Sequence, residues 1–375
     1  MEFLITKNNL KKALFTVSHI SGKNVNLPIL NNVMIKIEDK NIKLITTDLE
    51  IGITHSMRGK IEKEGIFTVN SKVFYDYINL LPDKKIKIKQ KEDSLEIECD
   101  NYKTKIKGQS AEDFPLIPEV ETKNSYKINI KDFKKALSKV VFSTASSESR
   151  IELTGILFTI EKDELTMAST DSYRLSEKKI KIENRNNEEK SVIIPSKTIQ
   201  EVLRILSNFG EGDELDQGQD MNIFISDSQV LFKTEKTELV SRLIEGQYPD
   251  YKQIIPKESK TKSILNRYEF LQAVKTSSLF SKTGINDISI DFPKDKNQTI
   301  ISSVSGQTGE NVVEIDSQTK GDDNSIVVNY QYLLDGLKNI EDDEVEISIV
   351  DNNTPCIVKP IKEDNYLYII MPIKQ

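Results

Sequence analysis

Apolar and polar positions along this chain follow two periods in succession, and the succession is written three times. In EFLITKNNLKKALFTVSHIS, from Glu2 to Ser21, a short alternating run gives way to Leu10, Ala13, Leu14 and Val17 at helical spacing. A change of period from two to 3.6 residues predicts a strand that runs into an amphipathic helix. SYKINIKDFKKALSKVVFST, from Ser125, repeats the pattern with Phe133, Ala136, Leu137 and Val140, and KSILNRYEFLQAVKTSSLFS, from Lys262, repeats it with Phe270, Ala273 and Val274.

A second triplet, IFTVNSKVFYDYINLL from Ile66, SVIIPSKTIQEVLRIL from Ser191 and SIVVNYQYLLDGLKNI from Ser325, also joins a strand to a helix. Each unit therefore carries two helices. Alternating runs between and after them, centred on D-K-N, K-D-E and K-D-K-N, predict hairpins. Each unit closes on a proline-bearing segment, FPLIP at Phe114, YPDYKQIIP at Tyr248 and MPIKQ at Met371. The repeat is too long for a solenoid, whose units span roughly 20 to 50 residues, so each copy is a domain. The expected domains are 1–121, 126–249 and 250–375, joined by short polar segments. Two helices on one face of antiparallel sheet make each an α+β layer structure.

At 375 residues, with 37% hydrophobic and 30% charged positions, the chain has the composition of a globular protein with several cores. No apolar stretch approaches the roughly 20 residues of a membrane span, and a cytoplasmic protein is expected. Cys99 and Cys356 stand far apart without a C-x-x-C partner, which predicts buried thiols and no thiolate metal site. His19 and His55 have no partner at metal-ligand spacing, and nucleotide-cradle and hydrolase-elbow motifs are missing. Neither a cofactor nor a metal is expected. Asp48, Glu50 and Asp171 recur in TTDLE and STDSYRL; they suit a turn in which Asp bonds its own backbone, and less well a paired-carboxylate hydrolase.

The net charge of −7 speaks against a polyanionic partner until it is sorted by element. The six helical segments sum to +9, which leaves −16 on the rest. Lys131, Lys135 and Lys139 follow one another at i, i+4 and i+8, and with Lys134 they are expected away from the apolar stripe. Were the three units set in an arc, equivalent basic helices would line one wall and meet phosphates without reading bases.

Three such domains with basic helices and an acidic remainder resemble the bacterial DNA polymerase III beta subunit family, the sliding clamps. The likeness spans essentially the whole chain and is carried by LPILNNVMIKI from Leu27, TDLE from Thr47, STDSYRLS from Ser169, EGQYPDYKQIIP from Glu245 and YIIMPIKQ from Tyr368. It implies a non-catalytic processivity factor of DNA replication: a head-to-tail homodimer whose six domains close a ring on double-stranded DNA. The clamp loader, the DNA polymerase III alpha subunit and other proteins with clamp-binding motifs are its implied partners. They would insert a peptide between domains two and three, at Leu153, Thr170, Ser172, Tyr173, Arg174, Leu175, Pro249, Lys252, Gln253, Ile254, Pro355, Ile369, Ile370, Met371, Pro372 and Ile373. Leu175, Ile254, Ile370 and Pro372 are expected to offer its apolar pocket.

DNA contacts are expected at Lys11, Lys12, Lys23, Lys131, Lys134, Lys135, Lys139, Arg150, Lys197, Arg204 and Lys275. The dimer seam is expected to bring Lys72, Tyr102, Lys103, Lys105 and Ile106 of one subunit against Leu279, Phe280, Glu310, Glu314 and Asp316 of the other. The chain departs from the family where many relatives carry a basic pair after P-D-Y, here Lys252 and Gln253, and in ending on Gln375. Two other readings remain open at this point: an enzyme using the Asp-bearing turns, and a scaffold that never encircles DNA.

Overall fold

The computed structural model of the chain describes residues 1–22, 26–184, 188–207, 219–294 and 296–374. Among these, α-helices occupy Lys7–Ser18 (α1), Ser71–Leu80 (α2), Ile130–Val141 (α3), Ser196–Leu206 (α4), Arg267–Ser278 (α5) and Tyr330–Lys338 (α6), as the periodicity predicts. The stripes Leu10/Ala13/Leu14/Val17 and Phe133/Ala136/Leu137/Val140 are 0% exposed. Most of these helices begin on a side chain that ends the preceding strand. Asn70 accepts from Val73 N at 3.0 Å, Asn129 from Lys131 N at 3.0 Å, Asn266 from Tyr268 N at 3.0 Å, and Asn329 from Gln331 N at 2.9 Å. Thr6 does the same for α1 with Asn9 N. Each cap satisfies an amide that the first helical turn leaves without a partner, which fixes where the strand stops.

The chain divides into two compact units, and neither coincides with a repeat. The first takes residues 1–131, 183–186 and 200–243. Its 14-stranded sheet runs Glu183–Asn184, Tyr126–Asn129, Asp220–Ile225, Gln229–Lys233, Thr237–Arg242, Ile51–Met57, Asn41–Thr47, Asn32–Glu38, Gly65–Asn70, Tyr102–Gln109, Ser94–Cys99, Lys85–Lys91, Glu2–Thr6, Lys60–Lys63. The first repeat meets the second where Ile51–Met57 pairs with Thr237–Arg242, from Ile51↔Ser241 to His55↔Thr237. Helix α1 packs on α2 and on the two strands Asn41–Thr47 and Ile51–Met57. The D-K-N hairpin forms with both Asp39 (φ 51°) and Lys40 (φ 60°) left-handed, the backbone that two-residue hairpins favour.

The second unit takes residues 132–182, 187–199 and 244–375. Its 12-stranded sheet runs Lys190–Pro195, Gly155–Glu161, Glu164–Thr170, Arg174–Lys181, Tyr366–Ile370, Cys356–Pro360, Glu344–Ile349, Thr261–Asn266, Gly309–Gly321, Gln298–Ser305, Asp287–Phe292, Asn324–Asn329. Helix α5 packs on α6 and on the strands around Thr261–Asn266, and its Phe270 and Val274 join Ile290, Leu333, Leu337 and Tyr368 in a core. Gly336 of α6 is needed by close approach, because a Cβ there would lie 2.3 Å from the Tyr368 ring. Tyr368 Oη donates to Tyr332 O at 2.8 Å. The hairpin of the second repeat, K-D-E, also forms, Glu161 opposite Glu164, while the K-D-K-N turn falls partly on Asp295, outside the described residues.

Both cysteines are free and buried, and burial pushes the Cys356 thiol up to about 12. No described helix is long and apolar enough to cross a membrane, and no group of three or more His, Cys, Asp or Glu among the described residues could hold a metal ion.

Candidate partner-binding cleft and the faces beside it

Strands Arg174–Lys181 and Tyr366–Ile370 pair from Arg174↔Ile370 to Lys178↔Tyr366, and beyond the first end of that pairing the chain runs into Met371 and Pro372, which line a recess. The tight turn before Arg174 presents the residues that STDSYRL carries. Asp171 Oδ1 accepts from Tyr173 N at 2.9 Å and Arg174 N at 3.0 Å, and Thr170 Oγ1 donates to Arg174 O at 2.6 Å. Asp48 plays the same part for Glu50 N and Ile51 N, at 3.0 and 2.7 Å. Both aspartates hold turns, which is the role their local sequence suits.

Arg174 is fixed on every side. Its Nε donates to Asp171 Oδ2 at 2.9 Å and its Nη1 to Asp335 Oδ2 at 2.7 Å, and its guanidinium lies 4.7 Å from the Tyr332 ring centroid and 5.6 Å from that of Phe142. Tyr173, exposed, stacks on Tyr332 at 6.4 Å and 17°. A planar cation held by two carboxylates and two rings is a rigid wall rather than a mobile charge. Tyr332, Asp335 and Phe142 were not legible as site residues. The i, i+3 spacing of Tyr332 and Asp335 puts them on one face of α6, but nothing in the sequence ties that face to Arg174.

Gln253, Ile254, Pro355, Met371 and Pro372 line one recess of about 550 Å³, together with Ile255, Pro256, Asn353, Thr354 and Lys374. Met371 N donates to Tyr173 O at 2.8 Å and Ile373 N to Val327 O at 2.8 Å, so the C-terminal segment is strung along the groove by its backbone. Lys252 is exposed; Pro249 O accepts from Tyr251 N at 2.7 Å; Gln253 Nε2 donates to Asp250 Oδ2 at 2.9 Å. Leu153, Leu175 and Ile369 are at most 2% exposed and pack with Tyr248 and Tyr251, and Ile370 lies in the other core. The expectation that Leu175 and Ile370 offer pocket surface is therefore corrected: both faces of Tyr366–Ile370 are covered, so successive residues of this strand are buried.

Among the DNA candidates, Lys11, Lys12, Lys131, Lys135, Lys197, Lys275 and Arg150 are exposed and Lys134 is half-buried. Arg150 is tied to Glu152 at 3.0 Å and Ser172 at 3.2 Å, and Lys135 to Glu341 at 3.2 Å. Lys23 lies outside the described residues. Two of the candidates are corrected. The Lys139 side chain, 7% exposed, is ion-paired with Glu363 and sits over the Tyr366 ring at 5.2 Å. Arg204 donates to the carbonyls of Phe15 and Thr16, both at 2.6 Å, and pairs with buried Glu201, so it closes the end of α1. His19 Nδ1 lies 2.8 Å from the same Glu201.

The dimer candidates fall on two strands with open edges. Tyr102–Gln109 pairs with Ser94–Cys99 through Lys107, but meets Gly65–Asn70 only at Gly108 and Gln109. Gly309–Gly321 pairs with Gln298–Ser305 through Asp316 and with Thr261–Asn266 only from Ser317. Lys72, Tyr102, Lys103 and Lys105 are exposed, as are Leu279 (72%), Glu310, Glu314 and Asp316, while Phe280 is half-buried. Ile106, expected at the surface, is 8% exposed, and lines a recess of about 350 Å³ with Val73 and Tyr77. Glu310, Glu314 and Asp316 make no ion pair among the described residues.

Comparison with known proteins matches the three repeats to three family models: DNA polymerase III beta subunit N-terminal domain over 1–118, central domain over 127–250 and C-terminal domain over 252–374. A beta sliding clamp of Staphylococcus epidermidis is 29% identical, over 100% of this chain and 99% of its own. A putative DNA polymerase III beta subunit from Eubacterium rectale is 30% identical with a TM-score of 0.91, over 100% of both chains. The sliding clamp of Bacillus subtilis is 27% identical with a TM-score of 0.93, over 100% of this chain and 99% of that one. With its three repeats matched in order and its whole length covered, the chain belongs to the DNA polymerase III beta subunit family, the sliding clamps that serve DNA replication as non-catalytic processivity subunits.

Proposed function

We propose that two copies of this chain close head to tail into a ring around duplex DNA, in the cytoplasm, and that the groove beside Met371 takes short peptide segments of the clamp loader, the DNA polymerase III alpha subunit and other clamp-binding proteins. Domains 1–121, 126–249 and 250–375 are its three wedges. The observation that carries the ring is the pair of open strand edges, lysine-bearing at 102–107 and acidic at 309–316. An unlike pair of edges makes a heterologous contact, and two such contacts close a dimer without leaving an edge to aggregate. Lys103 and Lys105 are paired now with Glu98 and Glu96 at 3.2 and 2.7 Å, exposed contacts worth little, and can exchange them for Glu310, Glu314 and Asp316. The recess lined by Val73, Tyr77 and Ile106 suits Leu279 and Phe280 of the other copy.

Lys11, Lys12, Lys131, Lys134, Lys197 and Lys275 would then meet phosphates as sequence-independent point charges. Lys139 and Arg204 would not, since their donors are spent inside the fold. In the groove, Met371, Pro372 and Ile254 form an apolar floor for a partner's hydrophobic end, and the thioether adapts to several shapes. The test of the ring is size. Light scattering should give a dimer for the chain and a monomer for Leu279→Lys with Phe280→Lys, which puts charge into the apolar seam. A variant that stays dimeric refutes this seam.

A further inference from the structure

The strands Glu2–Thr6, Lys85–Lys91, Ser94–Cys99 and Tyr102–Gln109 bury Phe3, Ile5, Ile86, Ile88, Leu95 and Ile97 on one face. Their other face is a lysine lattice. Register places Lys63, Glu2, Lys89, Glu96 and Lys105 in one cross-strand row, Lys87, Glu98 and Lys103 in the next, and Lys91, Ser94 and Lys107 in a third. The four strands hold seven lysines and three glutamates, +4 in a chain whose net charge is −7, and no arginine. Each glutamate is flanked by two lysines, and with Glu62 and Asp93 beside the strands the carboxylates reach Lys87, Lys89, Lys103, Lys105 and Lys107 while leaving the lysines in excess. Lys87 takes Glu2 at 2.7 Å, Lys105 takes Glu96 at 2.7 Å and Lys107 takes Asp93 at 3.3 Å. Lys85 and Lys91, both exposed, have no ion pair among the described residues.

From this we infer that the face is a second DNA surface, which holds the phosphate backbone of duplex DNA on the outside of the first repeat. Lysines two residues apart on one strand stand about 7 Å from each other, and lysines on either side of a glutamate in one row stand about 10 Å apart, a grid on the scale of successive phosphates. Lysine without arginine suits diffuse contact with phosphates better than the bidentate grip that acidic side chains reward. The lattice ends on Tyr102–Gln109, whose open edge belongs to the proposed subunit seam. In the clamp reading, on which this placement beside the seam rests, the face would gather DNA next to the gap through which it must enter.

A duplex closed by hairpins at both ends separates this face from the bore, because a ring has no end to thread. Anisotropy of such a labelled duplex across a salt series, with the full-length protein, should give a slope of log affinity that falls by about 2 in Lys85→Gln with Lys91→Gln, at about 0.9 for each phosphate no longer neutralised. Lys85→Arg with Lys91→Arg should restore it, and the thermal midpoint should not move. An unchanged slope overturns the assignment. Binding of polyglutamate that is tighter than that of the duplex, and abolished in the same variant, would give the face to an acidic polypeptide and overturn it as well. Neither result depends on whether the chain forms a ring, which sizing and release from DNA decide separately.

Discussion

Glu363→Gln should be among the costliest single changes outside the apolar cores, and the structure sets its size. Glu363 receives the ammonium groups of both Lys139 and Lys178, whose side chains are 7% and 5% exposed, and Lys178 Nζ also donates to Asn365 Oδ1 at 2.5 Å. Burial alone would raise the Glu363 pKa, yet the two lysines outweigh it and hold the carboxyl below its ordinary value. For Lys178 burial wins and lowers the pKa, with Glu363 opposing it. Glutamine leaves two buried cations with only the more distant Asp132 acting on Lys178, and breaking a buried pair typically costs about 3 to 5 kcal/mol. Deprotonation sets a ceiling for each lysine. Neutralising a lysine of ordinary pKa 10.5 at pH 7 costs about 5 kcal/mol, at 1.36 kcal/mol per unit.

The sign with pH follows from the direction of each shift. Burial already lowers the Lys178 pKa in the parent against the opposing pull of Glu363, and removing that carboxylate lowers it further, so the variant gains more stability than the parent as pH climbs toward 10.5 and the deficit shrinks. In the parent, the contribution of Glu363 is complete above 4.5 and disappears as pH falls through its lowered folded value. The chain has no tryptophan, so urea unfolding is followed by circular dichroism at pH 7 and pH 9.5. A loss under about 1 kcal/mol at pH 7, or a deficit equal at both pH values, would refute the buried-lysine account. Replacing all three groups with Met, Met and Leu should recover most of the loss, because an apolar set of similar volume needs no counter-charge.

Two further predictions concern the other strand junction and the groove. His55, with Nδ1 2.9 Å from Thr237 Oγ1, is pushed down to about 4, chiefly by burial and then by Lys236. From an ordinary 6.5 this supports about 3 kcal/mol of stability, complete above 6.5 and lost as pH falls toward 4; unfolding midpoints of His55→Gln should lack this part of the acid sensitivity, and equal slopes would refute it. Met371→Ala with Pro372→Ala should weaken a peptide carrying Gln and a Leu-Phe end about tenfold or more in calorimetry, as expected for removing apolar burial worth about 1.5 to 3 kcal/mol, while the protein keeps its size in solution; unchanged affinity would exclude this groove.

The helices were legible because Leu10, Ala13, Leu14 and their counterparts carry the 3.6-residue period without interruption. Joins between repeats were not. Ile51 pairs with Ser241 and Arg174 with Ile370, nearly 200 positions apart, and no local period encodes which edge meets which. Lys139 shows the limit of spacing rules. At 100° per residue an i, i+4, i+8 series drifts by about 80° around the helix, which carries Lys139 from the solvent face of Lys131 toward Val140, where Glu363 receives it. Leu175 and Ile370 were assigned to a pocket because neighbouring sequence marks the groove, but their strands are covered on both faces there, so Leu175 and Ser176, and Tyr368 to Ile370, are buried in succession. Arg204 illustrates the same point for charge, since a cation near a helix end is as ready to cap a neighbouring helix as to face solvent.

The proposed topology, two copies held on DNA because together they surround it, has a direct test. Labelled protein placed on nicked circular DNA by a bacterial clamp loader should remain bound through gel filtration and leave when a single cut makes the circle linear. Equal retention on circular and linear DNA would contradict the ring.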